Sequence, residues 1–128
     1  MTREWEAFVT VADRFFGALE AGDEEAVVRC YAPDARIWHN FDQVSMTAHE
    51  NAATLREFFS GFPTRRYSEV RRHHVPSYGL VQQHMLQLIR ADGRKVDWPG
   101  CIILQIVGGK ILVLEEYIDL AGFSARMA

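Results

Sequence analysis

The sequence is short of several things, and each shortage excludes a class of protein. No apolar run exceeds that of Cys101-Ile102-Ile103-Leu104, far below the roughly 20 residues needed to cross a bilayer as a helix. The first residues, Met1-Thr2-Arg3-Glu4-Trp5-Glu6, carry two acids and no apolar stretch, unlike a secretory signal. There is no basic excess: 14 Lys and Arg stand against 17 Asp and Glu, a net charge of −3. That balance argues against nucleic acid and anionic membrane as partners. Only two cysteines occur, Cys30 and Cys101. Without a disulfide-dense pattern they read as two buried thiols in a reducing, cytoplasmic setting. No Cys/His spacing suits zinc, and the adjacent His73 and His74 would point to opposite faces of a strand. Phosphate-binding glycine loops, Gly-x-Ser-x-Gly and dinucleotide fingerprints are all missing. No metal and no organic cofactor is therefore expected.

What is present is an ordinary globular chain of 128 residues, 48% hydrophobic and 24% charged. That is one domain, spanning 1–128, with one core. Thr2 can cap a first helix, in which Trp5, Phe8, Val9, Ala12, Phe15, Phe16 and Leu19 recur at helical spacing up to Gly22. Asp23 can cap a second, short helix carrying Val27, Val28, Cys30 and Tyr31, broken by Pro33-Asp34. Arg36-Ile37-Trp38-His39 reads as a short strand. Thr47-Ala48-His49-Glu50 has capping-box form and should open a third helix with Ala52, Leu55, Phe58 and Phe59 inward, ended by Gly61 and Pro63.

Four strands should follow: Arg66 to Val75, Gly79 to Arg90, Lys95 to Val107 and Lys110 to Leu120. Pro99-Gly100 is expected to interrupt the third of them with a bulge. Gly108-Gly109 is a two-residue hairpin signal. Helices first and strands after make an α+β fold, with three N-terminal helices packed on one face of a curved, mostly antiparallel sheet.

The run Phe15-Phe16-Gly17-Ala18-Leu19-Glu20-Ala21-Gly22-Asp23, followed by Tyr31-Ala32-Pro33-Asp34-Ala35, resembles the opening of the nuclear transport factor 2-like superfamily. That superfamily includes ketosteroid isomerases, scytalone dehydratases and SnoaL-like polyketide cyclases. Thr54-Leu55-Arg56-Glu57-Phe58-Phe59 resembles its third helix, and the segment from Gly108 to Asp119 its last hairpin. The resemblance covers nearly the whole chain and implies a cone-shaped α+β barrel. It is specific for fold and weak for reaction.

The resemblance places His39 where ketosteroid isomerases carry a catalytic aspartate, and a histidine there suits a general base. It also puts Leu114, Glu116 and Ile118 toward the cavity, with Glu116 near His39 as an orienting carboxylate. The isomerase oxyanion tyrosine corresponds here to Phe15, and the oxyanion aspartic acid to Ile102 or Cys101; neither replacement donates a strong hydrogen bond. Other candidates each have two readings. His84 either enters the pocket as a second catalytic group or sits on a wet dimer face. Asp97 is either a catalytic carboxylate or a turn residue. Asn40 either binds substrate or begins a loop. Phe15 and Phe59 belong to an aromatic set that forms the core and also walls any cavity, favouring flat, apolar ligands. Tyr117 and Asp119 enter the pocket if the last strand slips by one residue. Arg65-Arg66 and Arg71-Arg72 read as solvated edge charges.

The function these residues imply is a small cofactor-free enzyme: an isomerase, dehydratase, cyclase or other lyase. It would move a proton on an apolar aromatic or polyketide-like molecule. The alternatives are a non-catalytic small-molecule binder and a dimeric interaction module of the same fold. A homodimer is expected, because three helices cannot cover both faces of the sheet, and Trp38 is a candidate interface anchor.

Overall fold

The structure, a computed structural model, describes residues 2–122. Helix α1 (Arg3–Ala21) begins where Thr2 accepts a hydrogen bond from the Trp5 amide at 3.1 Å. It stops where Gly22 turns left-handed at φ 68° and returns its N–H to the last carbonyls. Helix α2 (Glu24–Arg29) is capped by Asp23, and α3 (Ala48–Gly61) by the full Thr47/Glu50 capping box. The strands are β1 (Tyr31–His39), β2 (Ser45–Met46), β3 (Thr64–Val75), β4 (Gly79–Ile89), β5 (Lys95–Val107) and β6 (Lys110–Ile118).

They form one sheet in the order β2-β1-β6-β5-β4-β3. All neighbours are antiparallel except β1 and β6, which run parallel. Gly108 and Gly109 take φ 58° and 75° in the β5–β6 hairpin, a turn that needs positive φ at both central positions. The sheet is open, with β2 and β3 as its edges. The cone is completed by helices: α1 packs on β3, and α3 on β1 and β2.

One buried cluster joins the α1 stripe, including Phe8, Phe15, Phe16 and Leu19, to Ile37, Leu80, Ile102, Leu104, Ile111 and Leu114 of the sheet. Each such side chain removed from water stabilises the fold by about 1.5–3 kcal/mol. A second cluster of Leu86, Leu88, Val96 and Trp98 lies further along the sheet with Phe58 and Phe62.

Three local expectations need correction. Tyr31 does not extend α2; the helix ends at Arg29, and Tyr31 opens β1, which carries Pro33-Asp34 within it across a register shift. Pro99-Gly100 does not interrupt β5, because Pro99 stays in register with Met85. Pairing to β6 reaches only Gly100, so the stretch before it has an open side where a missing N–H orphans no acceptor. Arg65 is not a solvated edge charge. It is 8% exposed and donates from Nε to the Leu19 carbonyl at 2.8 Å and from its other nitrogens to the Glu20 and Phe62 carbonyls. It thereby satisfies the ends of both α1 and α3, where carbonyls lack helical partners.

Candidate active site

Strands β1 and β6 run side by side in parallel register, with His39 opposite Glu116. Alternation turns Ile37 and His39 of β1, and Leu114, Glu116 and Ile118 of β6, to the helix-covered face. His39 Nε2 lies 3.2 Å from Glu116 Oε1, and both side chains are largely buried. Burial pulls the imidazole's pKa down. The hydrogen bond and charge of Glu116, with Asp42 behind it, outweigh burial and leave it raised. An ionised carboxylate only accepts, so the shared nitrogen carries the hydrogen. In the neutral ring the lone pair is then on Nδ1.

The pair lines a cavity of about 200 Å³ enclosed by α1, α3 and the sheet. Most of the wall is apolar or aromatic, with Phe15, Ile37, Phe58, Leu86 and Trp98 among its members. Two tyrosines also reach it: Tyr31 from β1 and Tyr67 from β3. Phe15 holds the Tyr31 ring edge-on at 5.6 Å, while Phe16 and His84 hold Tyr67 at 4.9 and 4.7 Å. Among the described residues neither hydroxyl has a hydrogen-bond partner. Burial, reinforced by the nearby Glu116 charge, pushes both phenols well above their usual range. They remain protonated, as donors available to a bound oxygen. Sequence reasoning passed over both. Tyr31 was assigned to a helix, and Tyr67 was hidden in the cationic segment Arg65-Arg66-Tyr67, although alternation with buried Arg65 places it inward.

The other residues singled out from sequence separate into those at the cavity and those away from it. Phe15 lines it. His84 faces inward and is 6% exposed, but it lies behind Tyr67 rather than in the cavity wall. Its Nδ1 meets Gln82 Nε2 at 2.9 Å, and Gln82 Oε1 accepts from Arg72 Nε at 2.8 Å. A guanidinium only donates, so the chain of bonds leaves Nδ1 as an acceptor and the hydrogen on Nε2. Burial lowers this imidazole to about 4, so it is neutral near pH 7. The ring fits because its strand partner is Gly100, whose added Cβ would lie 3.0 Å from His84 Nε2.

Asp97 points to the outer face of β5, since the uninterrupted strand does not re-aim it. Asn40 is a clasp: its amide donates to the Ile118 carbonyl at 3.1 Å and accepts from the Ile118 N–H at 2.9 Å, tying the ends of β1 and β6 together. Phe59 stacks under the Arg65 guanidinium at 4.6 Å, and its neighbour Phe58 is the cavity residue. The last strand does not slip, so Tyr117 lies on the outer face against Trp38 at 5.4 Å. Asp119 lies past the end of β6, exposed, accepting from the Gly122 N–H. The two cysteines are unpaired; Cys30 is buried, whereas Cys101 is half-buried on the outer face rather than in the core. Among the described residues no three His, Cys, Asp or Glu side chains converge as a metal site. No described helix is long and apolar enough to cross a membrane.

A family model for the SnoaL-like domain matches residues 12–114. Solved structures resemble the chain over nearly its full length at low identity. A candidate polyketide cyclase from Xanthomonas campestris pv. campestris superposes with a TM-score of 0.85 at 13% identity, over 97% of this chain and 98% of that one. AclR, a candidate hydroxylase from Streptomyces galilaeus, superposes at 0.83 and 13% identity, over 96% and 82%. A Catenulispora acidiphila protein with a ketosteroid isomerase-like fold, crystallised with trimethylamine, gives 0.78 at 11% identity, over 91% and 90%. At such identities these superpositions show a shared fold and nothing finer. No functionally curated protein matches the sequence.

Proposed function

The chain belongs to the SnoaL-like domain family, and on that footing we propose a small acid–base enzyme that moves a proton on an apolar carbonyl compound held in the cavity. The observation that carries this reading is the His39–Glu116 pair at 3.2 Å in an otherwise apolar, aromatic enclosure. His39 Nδ1 takes the proton from the carbon beside the carbonyl. Glu116 stabilises the imidazolium that forms and keeps the ring oriented. The C–H electron pair passes to the carbonyl oxygen, where Tyr31 and Tyr67 are the available donors. Returning the proton to another carbon gives isomerisation. Expelling a neighbouring hydroxyl, protonated by the imidazolium, gives dehydration. Attack of the enolate carbon on a second carbonyl gives ring closure, in keeping with the cyclase name of the Xanthomonas relative. No step calls for a metal or an organic cofactor, and the working unit is a homodimer joined through the outer sheet face.

The test is deuterium exchange from heavy water into a panel of aryl ketones and β-diketones, read by mass spectrometry. The folded wild type should catalyse exchange into at least one compound. His39→Ala should lower the rate by roughly 10²–10⁴-fold, with ligand affinity largely kept. Glu116→Gln should cost less, because it preserves shape and removes charge. Undiminished exchange in well-folded His39→Ala would remove His39 from the chemistry.

A further inference from the structure

We propose that the cavity binds an organic cation, a molecule bearing a protonated or quaternary alkylammonium group, seated between the aromatic walls and the Glu116 carboxylate. As a statement about substrate it rests on the acid–base reading above; as a statement about binding it stands on the chemistry of the walls.

Phe15, Tyr31, Phe41, Phe58, Tyr67 and Trp98 all line the cavity, and their ring faces are negative. Glu116 is the one carboxylate among the lining residues, and none of them is Lys or Arg. The two inward arginines nearby are committed elsewhere. Arg65 holds helix-end carbonyls, and Arg72 holds Asp13 at 2.6 Å and Gln82 at 2.8 Å. A further acceptor is present: Asn51 lines the cavity, is 5% exposed, and its Oδ1 has no hydrogen-bond partner. An anion entering this space finds the Tyr31 and Tyr67 hydroxyls as donors, but it meets the Glu116 carboxylate and no cationic side chain in the wall. A neutral apolar ligand fits the walls but makes no use of the charge. An alkylammonium group uses both, through cation–π attraction and the ion pair.

Such a guest competes with the proton on His39. Glu116 from β6 and Asp42 from the loop after β1 are the charges that favour that proton. The remaining polar groups facing the pair stay neutral: Tyr31 from β1, Tyr67 from β3 and His84 from β4. The residues α1 and α3 contribute to the wall, Phe15, Leu19, Asn51, Thr54, Leu55 and Phe58, do not titrate. A cation beside Glu116 therefore disfavours the imidazolium and releases its proton. Affinity rises with pH through the His39 titration, and the departing proton leaves Nδ1 ready to act as a base.

The experiment is calorimetric titration with (2-hydroxyethyl)trimethylammonium and its uncharged isostere 3,3-dimethylbutan-1-ol. It is run on either side of the imidazole range, at about pH 6 and about pH 9, in buffers of differing ionisation enthalpy. The cation should bind roughly tenfold more tightly than the isostere, with the advantage larger at the higher pH. Proton release should accompany cation binding at the lower pH only. Glu116→Gln should cut the discrimination to the remainder that the aromatic walls supply. His39→Gln should keep the discrimination and lose its pH dependence. Equal binding of the two probes to the wild type, or discrimination undiminished in Glu116→Gln, overturns the proposal. The wild-type comparison decides even where a variant fails to fold. Exchange that depends on His39 without cation preference overturns this proposal alone; cation preference without catalysed exchange overturns the acid–base reading alone.

Discussion

At His39 burial and charge act in opposite directions, and charge prevails. The folded pKa lies above the ordinary imidazole value of about 6.5, so the folded state binds the proton more tightly than the unfolded chain does. The resulting stabilisation is fully present below the unfolded pKa and is lost as pH rises through the raised folded one. The stability gap between wild type and His39→Gln, measured by urea unfolding, should therefore shrink on going from about pH 6 to about pH 9. A gap that stays constant or widens would show that Glu116 does not govern the titration. The pair itself was legible: alternation separates His39 from Trp38 and Glu116 from Tyr117, and the family resemblance says which set faces inward. The tyrosines were not, because their position depends on where α2 stops and on how β3 lies against β4. Asn40 misled for a different reason. Its amide answers the backbone groups of Ile118, a partner 78 residues away.

At the scale of elements, what was readable is what is local. Thr2, Asp23 and Thr47 each cap the helix assigned to them, and Gly108-Gly109 makes the expected hairpin. The parallel pairing of β1 with β6 has no local signature, and it is what brings the site together. Pro99 shows the limit of a rule applied without topology, since its effect depends on whether the neighbouring strand extends that far. Gly22 joins both levels. It ends α1 in a left-handed conformation, and a Cβ there would lie 2.6 Å from Arg65 Nη2. The left-handed backbone alone should make Gly22→Ala cost about 1–2 kcal/mol, and displacing Arg65 from its carbonyls should add to that. Thermal or urea unfolding measures the sum. A loss below the backbone figure would mean that Arg65 moves aside freely and is not holding the two helix ends.

For the whole molecule the decisive feature is asymmetry between the faces of the sheet. The helices cover the face that carries His39, Glu116 and the core, whereas the opposite face has no covering element among the described residues. Pairing aligns Val81, Ile103, Glu115 and Trp38 in one row across that face, with Gln83, Cys101 and Tyr117 in the next. Tyr117 is 42% exposed and packs against Trp38. Aromatic and aliphatic side chains interspersed with a few polar ones, on a broad uncovered surface, have the composition of a protein interface. Two copies related by a twofold axis would bury this patch against itself. The expected result is a dimer by light scattering at micromolar concentration. Ile103→Glu, placed mid-row beside Glu115, should convert it to a monomer, because two pairs of like charges would then meet across the axis without partners. Residues on the inner face should not respond: Glu116→Gln should remain a dimer, since Glu116 lines the cavity on the other face of the sheet. A wild-type monomer at that concentration would refute the assembly. A dimer unaffected by Ile103→Glu would move the interface off the sheet and leave Trp38 and Tyr117 without the role given them here.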